Sequence, residues 1–210
     1  MAKVHAFERH AEAYDEWFER HRDLYRAELE AVRRLMPPAG ARALEVGVGT
    51  GRFAAPLGIR VGVEPSARMA ARAGSRGIEV HPGVAEDLPF PDGTFDLVLL
   101  VTTICFVDDP ARALREAWRV LRPGGSVIVG FVDRESALGR RYAAGRDRSR
   151  FYRDATFFSS PEVLGLLGKA GFEVARVLQT VFEEGDRTAV AEGFGRGSFV
   201  AVRAVKTRRA

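Results

Sequence analysis

The stretch Leu44-Glu45-Val46-Gly47-Val48-Gly49-Thr50-Gly51-Arg52-Phe53 constrains this chain more than any other. Apolar residues around Leu44 and Val46 read as a buried strand, and three glycines at alternate positions then turn the backbone sharply. Where no Cβ intrudes, a ligand can approach the main chain closely. An acid, Glu45, stands just before the turn. It is a poor neighbour for pyrophosphate and suits a ligand with positive charge or with hydroxyl and ammonium donors. The spacing is Gly-x-Gly-x-Gly. The dinucleotide fingerprint needs its last glycine three places after the second, where this chain has Arg52.

The remaining sequence repeats the strand-then-helix pattern. Ile59 to Pro65 reads as a second strand, closed by Glu64, which stands 19 residues after Glu45. A carboxylate at a strand end there can accept both hydroxyls of a ribose. Ser66 is placed to cap the helix that follows. A short third strand lies near Ile78 to Gly83, and the loop AEDLPFPDGT carries two prolines and an Asp-Gly turn. Phe95 to Val107 reads as the fourth strand. The helix after it is expected to end at Pro123-Gly124-Gly125, and Ser126 to Arg134 is strand five. Ser160, with Pro161 at the first helical position, reads as the cap of a late helix. Two final strands, Phe172 to Phe182 and Gly197 to Lys206, have no helix-sized pattern between them and read as a hairpin that adds one antiparallel strand. Such alternation argues an α/β fold with an open, mostly parallel sheet and helices on both faces.

The segment before the sheet is helical in character. Tyr14, Trp17 and Phe18 recur at helical spacing, and Leu24, Leu29, Val32 and Leu35 continue the apolar contacts after a break near His21. Residues 1–38 form an expected N-terminal helical cap on a domain spanning 39–210. Pro37 and Pro38 mark a hinge about which it could close as a lid.

Composition removes several classes. With 210 residues and 46% apolar content the chain can bury a real core. Cys105 is the single cysteine, so a disulfide framework and a cysteine-rich metal site are excluded, and the four histidines form no metal-binding pair. No metal is expected. The apolar run from Phe95 to Val107 is too short to span a bilayer. The start lacks a secretory h-region, which makes a cytoplasmic protein the expectation. The net charge of +4 is nearly all arginine on its basic side, clustered between Arg140 and Arg150, with no aromatic interleaving of a nucleic-acid binder.

Taken together, YDEWF, LEVGVGTGRF, VGVEPSARMAARA, GVAEDLPFPDGTFDLVLL, ALREAWRVLRPGG and FSSPEVLGLLGKAGFE cover Tyr14 to Glu173. In that order they resemble a class I S-adenosylmethionine-dependent methyltransferase of the small-molecule branch that includes the ubiquinone and menaquinone methylases. The resemblance implies a single Rossmann-like, doubly wound sheet of seven strands, order 3-2-1-4-5-7-6, with one antiparallel strand and helices on both faces. It implies S-adenosyl-L-methionine as cofactor. Glu45, Gly47 and Gly51 match its methionine-end pocket, with Gly49 shaping the turn and Tyr14 covering it. Glu64 matches the ribose-binding acid, Pro65 and Met69 the positions beside adenine, and Ala85 and Glu86 its polar edge. Val101 and Thr102 match the strand end near the methyl group. Many relatives carry aspartate where this chain has Val84, so the contact to the adenine amine passes to Glu86, backbone or water.

The acceptor is expected to be a small molecule, bound between the N-terminal helix and a substrate-side insertion at 134–158. Tyr14, Trp17 and Phe18 are candidates for one wall, and Phe106, Tyr142, Phe151, Tyr152, Phe157 and Phe158 for the other. No catalytic base is legible. The alternatives are an RNA or protein methyltransferase using the Arg140 to Arg150 cluster, a non-catalytic cofactor-binding subunit, and a nicotinamide-dependent oxidoreductase. Neither a nucleic-acid partner nor a membrane span is expected, and a monomer or homodimer is.

Overall fold

The computed structural model describes residues 4–207. A single sheet of eight strands runs in the order β3-β2-β1-β4-β5-β8-β6-β7. Its strands are β1 (Ala43–Val46), β2 (Val61–Val63), β3 (Glu79–His81), β4 (Phe95–Val101), β5 (Leu121–Val132), β6 (Phe172–Thr180), β7 (Ala191–Glu192) and β8 (Phe199–Lys206). The pairs among β1 to β5 are parallel. The pairs β5–β8, β6–β8 and β6–β7 are antiparallel.

This corrects the seven-strand expectation with one antiparallel strand. The hairpin of β6 and β8 forms, but the loop between them contributes a further two-residue strand at the edge. Its cause is one buried side chain. Gln179 donates through Nε2 to Glu192 O (3.0 Å) and accepts at Oε1 from the N–H groups of Arg196 (2.9 Å) and Gly197 (2.7 Å). Those bonds satisfy a buried amide and draw the loop alongside β6.

The central strands are buried on both faces. Along β4, Val98 and Leu100 enter one core and Leu97, Leu99 and Val101 the other, as the two-residue pleat requires. The first core is completed by Ala113, Leu114 and Ala117 of α6 (Pro110–Val120) and Val163 and Leu167 of α8 (Ser160–Lys169). On the other side lie α1 (His5–Arg9), α2 (Ala11–Arg20), α3 (Arg22–Arg33), α4 (Ala54–Leu57) and α5 (Ala67–Ser75), while α7 (Ala137–Ala144) follows β5.

Local boundaries differ from expectation in three places. β4 ends at Val101, not Val107, because Thr102 takes a left-handed φ of 51°. α6 ends at Val120. The Pro123-Gly124-Gly125 segment is a bulge, across which β5 shifts register from Phe95↔Leu121 to Leu97↔Ser126. α8 is capped by Ser159 rather than Ser160: Ser159 N–H donates to Glu162 Oε2 (2.7 Å) and Ser159 Oγ accepts from Glu162 N–H, a full capping box. The Ser160 hydroxyl instead donates to buried Asp133.

The N-terminal helices break at His21, between α2 and α3. α3 buries Ala27, Ala31 and Val32 and packs on β6 and β8. From Arg22 onward the segment is therefore part of the core, and Pro37 and Pro38 do not separate it from the sheet.

Candidate active site

One large cavity opens at the carboxyl ends of β1, β2 and β4, where α/β sheets of this kind bind ligands. Its floor is the glycine turn. Gly47, Gly49 and Gly51 all have positive φ, at 67°, 55° and 83°, a region that costs any other residue energy. Their surroundings differ. A Cβ on Gly47 would meet the Thr103 side chain at 2.6 Å. On Gly49 it would point into the cavity, 3.5 Å from Met69 and 3.8 Å from Tyr14. Gly51 faces away: a Cβ there would strike Ile78 at 2.5 Å, so this glycine seats the turn on the layer below and does not line the cavity.

Two acids meet at the turn. Glu64 accepts from Gly49 N–H and from Ser66 N–H, both at 2.9 Å. Glu45 is 2% exposed and lies beneath the cavity wall, with Oε2 buried and without a partner among the described residues. Burial raises the pKa of both. For Glu45 a backbone hydrogen bond from Ala54 opposes the shift and the charge of Glu64 adds to it. No cationic side chain among the described residues is hydrogen-bonded to either. Glu64 lines the cavity and keeps acceptor capacity beyond its two backbone donors, which suits a diol, while the unpartnered Glu45 oxygen lies buried behind the wall.

Of the residues anticipated from sequence, Tyr14, Gly47, Gly49, Glu64, Pro65, Met69, Ala85, Glu86, Val101 and Thr102 line this one cavity. Glu45 and Gly51 support it from behind. Glu86 Oε1 accepts from the N–H groups of Asp108 (2.6 Å) and Asp109 (3.1 Å), which fixes the loop entering α6 and engages one of its two oxygens. Asp108, which sequence reading missed, lines the same end. Thr102 and Val181 are the two non-glycine residues with positive φ among the described residues. Both are β-branched, both directly follow a strand, and both line the cavity. Strain of this kind collects where side chains are aimed for function.

The outer half is aromatic. Tyr14, Trp17 and Phe18 of α2 line one side, and Phe106, Tyr142, Phe151 and Tyr152 the other. Phe157 lines a separate small cavity and Phe158 packs against the main core. Phe7 of α1, also missed, joins the two walls. Its ring stacks on Phe151 (5.6 Å between centroids) and meets Phe106 (4.9 Å) and Tyr14 (5.8 Å) edge-on. A buried acid, Glu28 of α3, lines this half as well. It lies in a helix as rich in charge as any solvated one, which hid it from the sequence. His21 is exposed and stacks on Trp17, outside the cavity.

α2 is fastened over the cavity by charge. Asp15 accepts from Thr50 Oγ1 (2.7 Å), Arg52 Nε (2.9 Å), Arg76 Nη2 (2.9 Å) and Arg72 Nη1 (3.2 Å). Burial alone would raise its pKa, but the bonds from Thr50, Arg52 and Arg76 outweigh it and hold the carboxyl at about 2.

Comparison with known proteins agrees with this geometry. Residues 44–129 match the family model of the methyltransferase domain. A solved structure from Thermotoga maritima, an S-adenosylmethionine-dependent methyltransferase described as a possible histamine N-methyltransferase, is 52% identical and superposes with a TM-score of 0.93 over 97% of this chain and 100% of that one. An uncharacterized protein of Methanocaldococcus jannaschii is 44% identical over 97% of this chain and its own full length. Another from Mycobacterium tuberculosis is 38% identical, covering 94% of this chain and 72% of that protein. The chain belongs to the S-adenosylmethionine-dependent methyltransferases. It is an enzyme of that class and S-adenosyl-L-methionine is its cofactor. No helix among the described residues is long and apolar enough to cross a membrane.

Proposed function

We propose that this enzyme methylates a small molecule held in the aromatic half of the cavity, with the cofactor held in the glycine-turn half. The observation that carries this reading is the continuity of the cavity: the turn at Gly47 to Gly49 and the rings of Tyr14, Phe106, Tyr142 and Tyr152 line one space. Aromatic walls enclose a flat or apolar body well and suit a polymer poorly. Arg140, Arg141, Arg146 and Arg148 are exposed and do not line the cavity. The name borne by the Thermotoga relative, and the resemblance to quinone-pathway methylases, both point to small acceptors.

On this reading Glu45 backs the pocket for the methionine end and Glu64 receives the ribose hydroxyls. Met69 and Pro65 flank the adenine, and Ala85, Glu86 and Asp108 form its polar edge. Tyr14 covers the turn. Val101 and Thr102 border the reacting centre. The bound cofactor supplies a methyl group already made electrophilic by its sulfonium. The chain's own work is to align the acceptor with that methyl and to keep water out. Residues 134–158, with α7, form the substrate-side wall through Leu138, Tyr142, Phe151 and Tyr152.

The test is transfer of isotopically labelled methyl groups to pooled small metabolites, to total RNA and to protein in parallel. Label is expected in the small-molecule fraction. Label confined to RNA or protein would overturn the proposal.

A further inference from the structure

Among the described residues, Glu28 is the one acid that lines the acceptor half of the cavity. It is 8% exposed, and among the described residues no hydrogen bond or ion pair reaches its carboxyl group. Leu24 and Glu28, four apart on α3, face the cavity together, as do Leu138 and Tyr142 on α7. A buried carboxyl group in a cavity half lined also by Leu24, Trp17 and Tyr142, with no hydrogen-bond donor on it, is costly in the free protein. Its chemistry is complementary to a cation, and so are the ring faces beside it.

We propose that Glu28 binds the basic nitrogen of the acceptor and takes its proton before methyl transfer, so that the substrates are small aromatic or apolar amines. This rests on the small-molecule reading of the cavity. The acceptor enters as an ammonium and pairs with the Glu28 carboxylate. One proton passes from nitrogen to a Glu28 oxygen and frees the nitrogen lone pair. That pair forms the new nitrogen–carbon bond as the sulfur–carbon bond breaks, its electrons remaining on sulfur. The product leaves as a methylated ammonium and Glu28 returns its proton to water. The overall balance is one methyl gained and one proton released.

Burial pushes the Glu28 pKa up to about 8, into the range from which a carboxylate can accept a proton from an amine. The titratable groups that face it are the phenols of Tyr14, Tyr142 and Tyr152, all raised by burial and un-ionised at neutral pH. They add no competing charge.

Two labelled-methyl pools distinguish the outcomes: one of arylalkyl amines, including histamine and phenethylamine, and one of phenols and carboxylic acids. Label is expected in the amine pool, with kcat/KM rising with pH toward a limb near 8. E28Q should lower turnover by about 10²-fold or more and abolish that limb, and E28D should retain part of both. Affinity for S-adenosylhomocysteine should stay within about twofold. Thermal unfolding supplies a readout independent of turnover. E28Q should be more stable than the wild type at pH 8.5 and lose that advantage at pH 5, where the wild-type carboxyl is already neutral. Label only in phenols or acids, undiminished turnover in E28Q, or the same stability difference at both pH values would each overturn the role of Glu28 and leave the small-molecule reading standing. Label in neither pool, with transfer to RNA or protein, would remove both.

Discussion

The Asp15 carboxylate of α2 meets the Arg76 guanidinium just beyond α5 at 2.9 Å, 61 residues away in sequence. The same carboxylate receives Arg52 and Thr50 from the glycine turn. A single acid thus ties α2 to the glycine turn and to the end of α5. Because its folded pKa of about 2 lies below the ordinary 3.8, the stabilisation is complete above about pH 4 and is lost as pH falls through about 2. The shift corresponds to about 2 kcal/mol.

D15N should therefore unfold at lower denaturant concentration at pH 7, by about 2 kcal/mol or more, since three arginines are left facing one another. The gap between variant and wild type should narrow between pH 5 and pH 3. Chemical denaturation at the two pH values checks this. A gap that stays constant with pH would mean the arginines draw nothing from the charge of Asp15.

The glycines offer a sharper contrast. Gly58 and Gly51 both have positive φ, 75° and 83°, but nothing lies within 4 Å of a Cβ at Gly58, whereas Ile78 lies at 2.5 Å from one at Gly51. G58A should cost only the backbone penalty of a left-handed alanine, about 1–2 kcal/mol. G51A should cost that and the displacement of Ile78 as well. Urea midpoints of the two variants, side by side, give the difference. Equal losses would show that the layer beneath the turn yields freely.

Glu64→Gln addresses the cofactor. The amide can keep one of the two backbone donors, Gly49 or Ser66, so the strand end should hold. Charge-assisted bonds to a ribose diol are each worth about 1.5–3 kcal/mol. Calorimetry should record at least a tenfold loss of S-adenosylmethionine affinity in a variant that melts within a few degrees of wild type. Unchanged affinity would take Glu64 out of the cofactor site.

These positions also show where sequence suffices. The turn, Glu64 and the Ser66 cap were legible because their causes are local: glycines needing positive φ, an acid ending a strand, a hydroxyl accepting from Met69 N–H three residues on. Ser160 reads as a cap from sequence, but its hydroxyl bonds Asp133, which lies just past β5 and 27 residues away. β7 has two residues and no period to read; its cause is Gln179, thirteen residues from Glu192. Glu28 sits in RDLYRAELEAVR among five other charged residues, and only the cavity it lines with Leu24 reveals that its side chain is buried.

The closure of α2 completes the set. α2 and α3 part at His21, whose φ of −119° and ψ of 44° interrupt the helix, and the two sides of that break are held by different balances of burial and charge. α3 is fixed by apolar burial of Ala27, Ala31 and Val32. α2 buries Ala11 and Phe18 and is fixed as well by Asp15, by Glu12 on Arg72 (2.7 Å) and, through α1, by Glu8 on Ser66 (2.5 Å). Glu12 and Arg72 are substantially exposed, at 53% and 35%, so that pair is weak and screened by salt. A helix whose hold is shared between the burial of Ala11 and Phe18 and a set of ion pairs can lift more readily than one held by burial alone, and the cavity beneath it needs an entrance. Amides from Ala11 to Arg20 should exchange quickly in the free protein, faster still in 0.5 M salt, and should slow when S-adenosylhomocysteine fills the site. Amides of α3 should be slow throughout. Hydrogen exchange read by mass spectrometry resolves the two helices, and the outcome that would sink the idea is protection of α2 equal to that of α3 in the free protein.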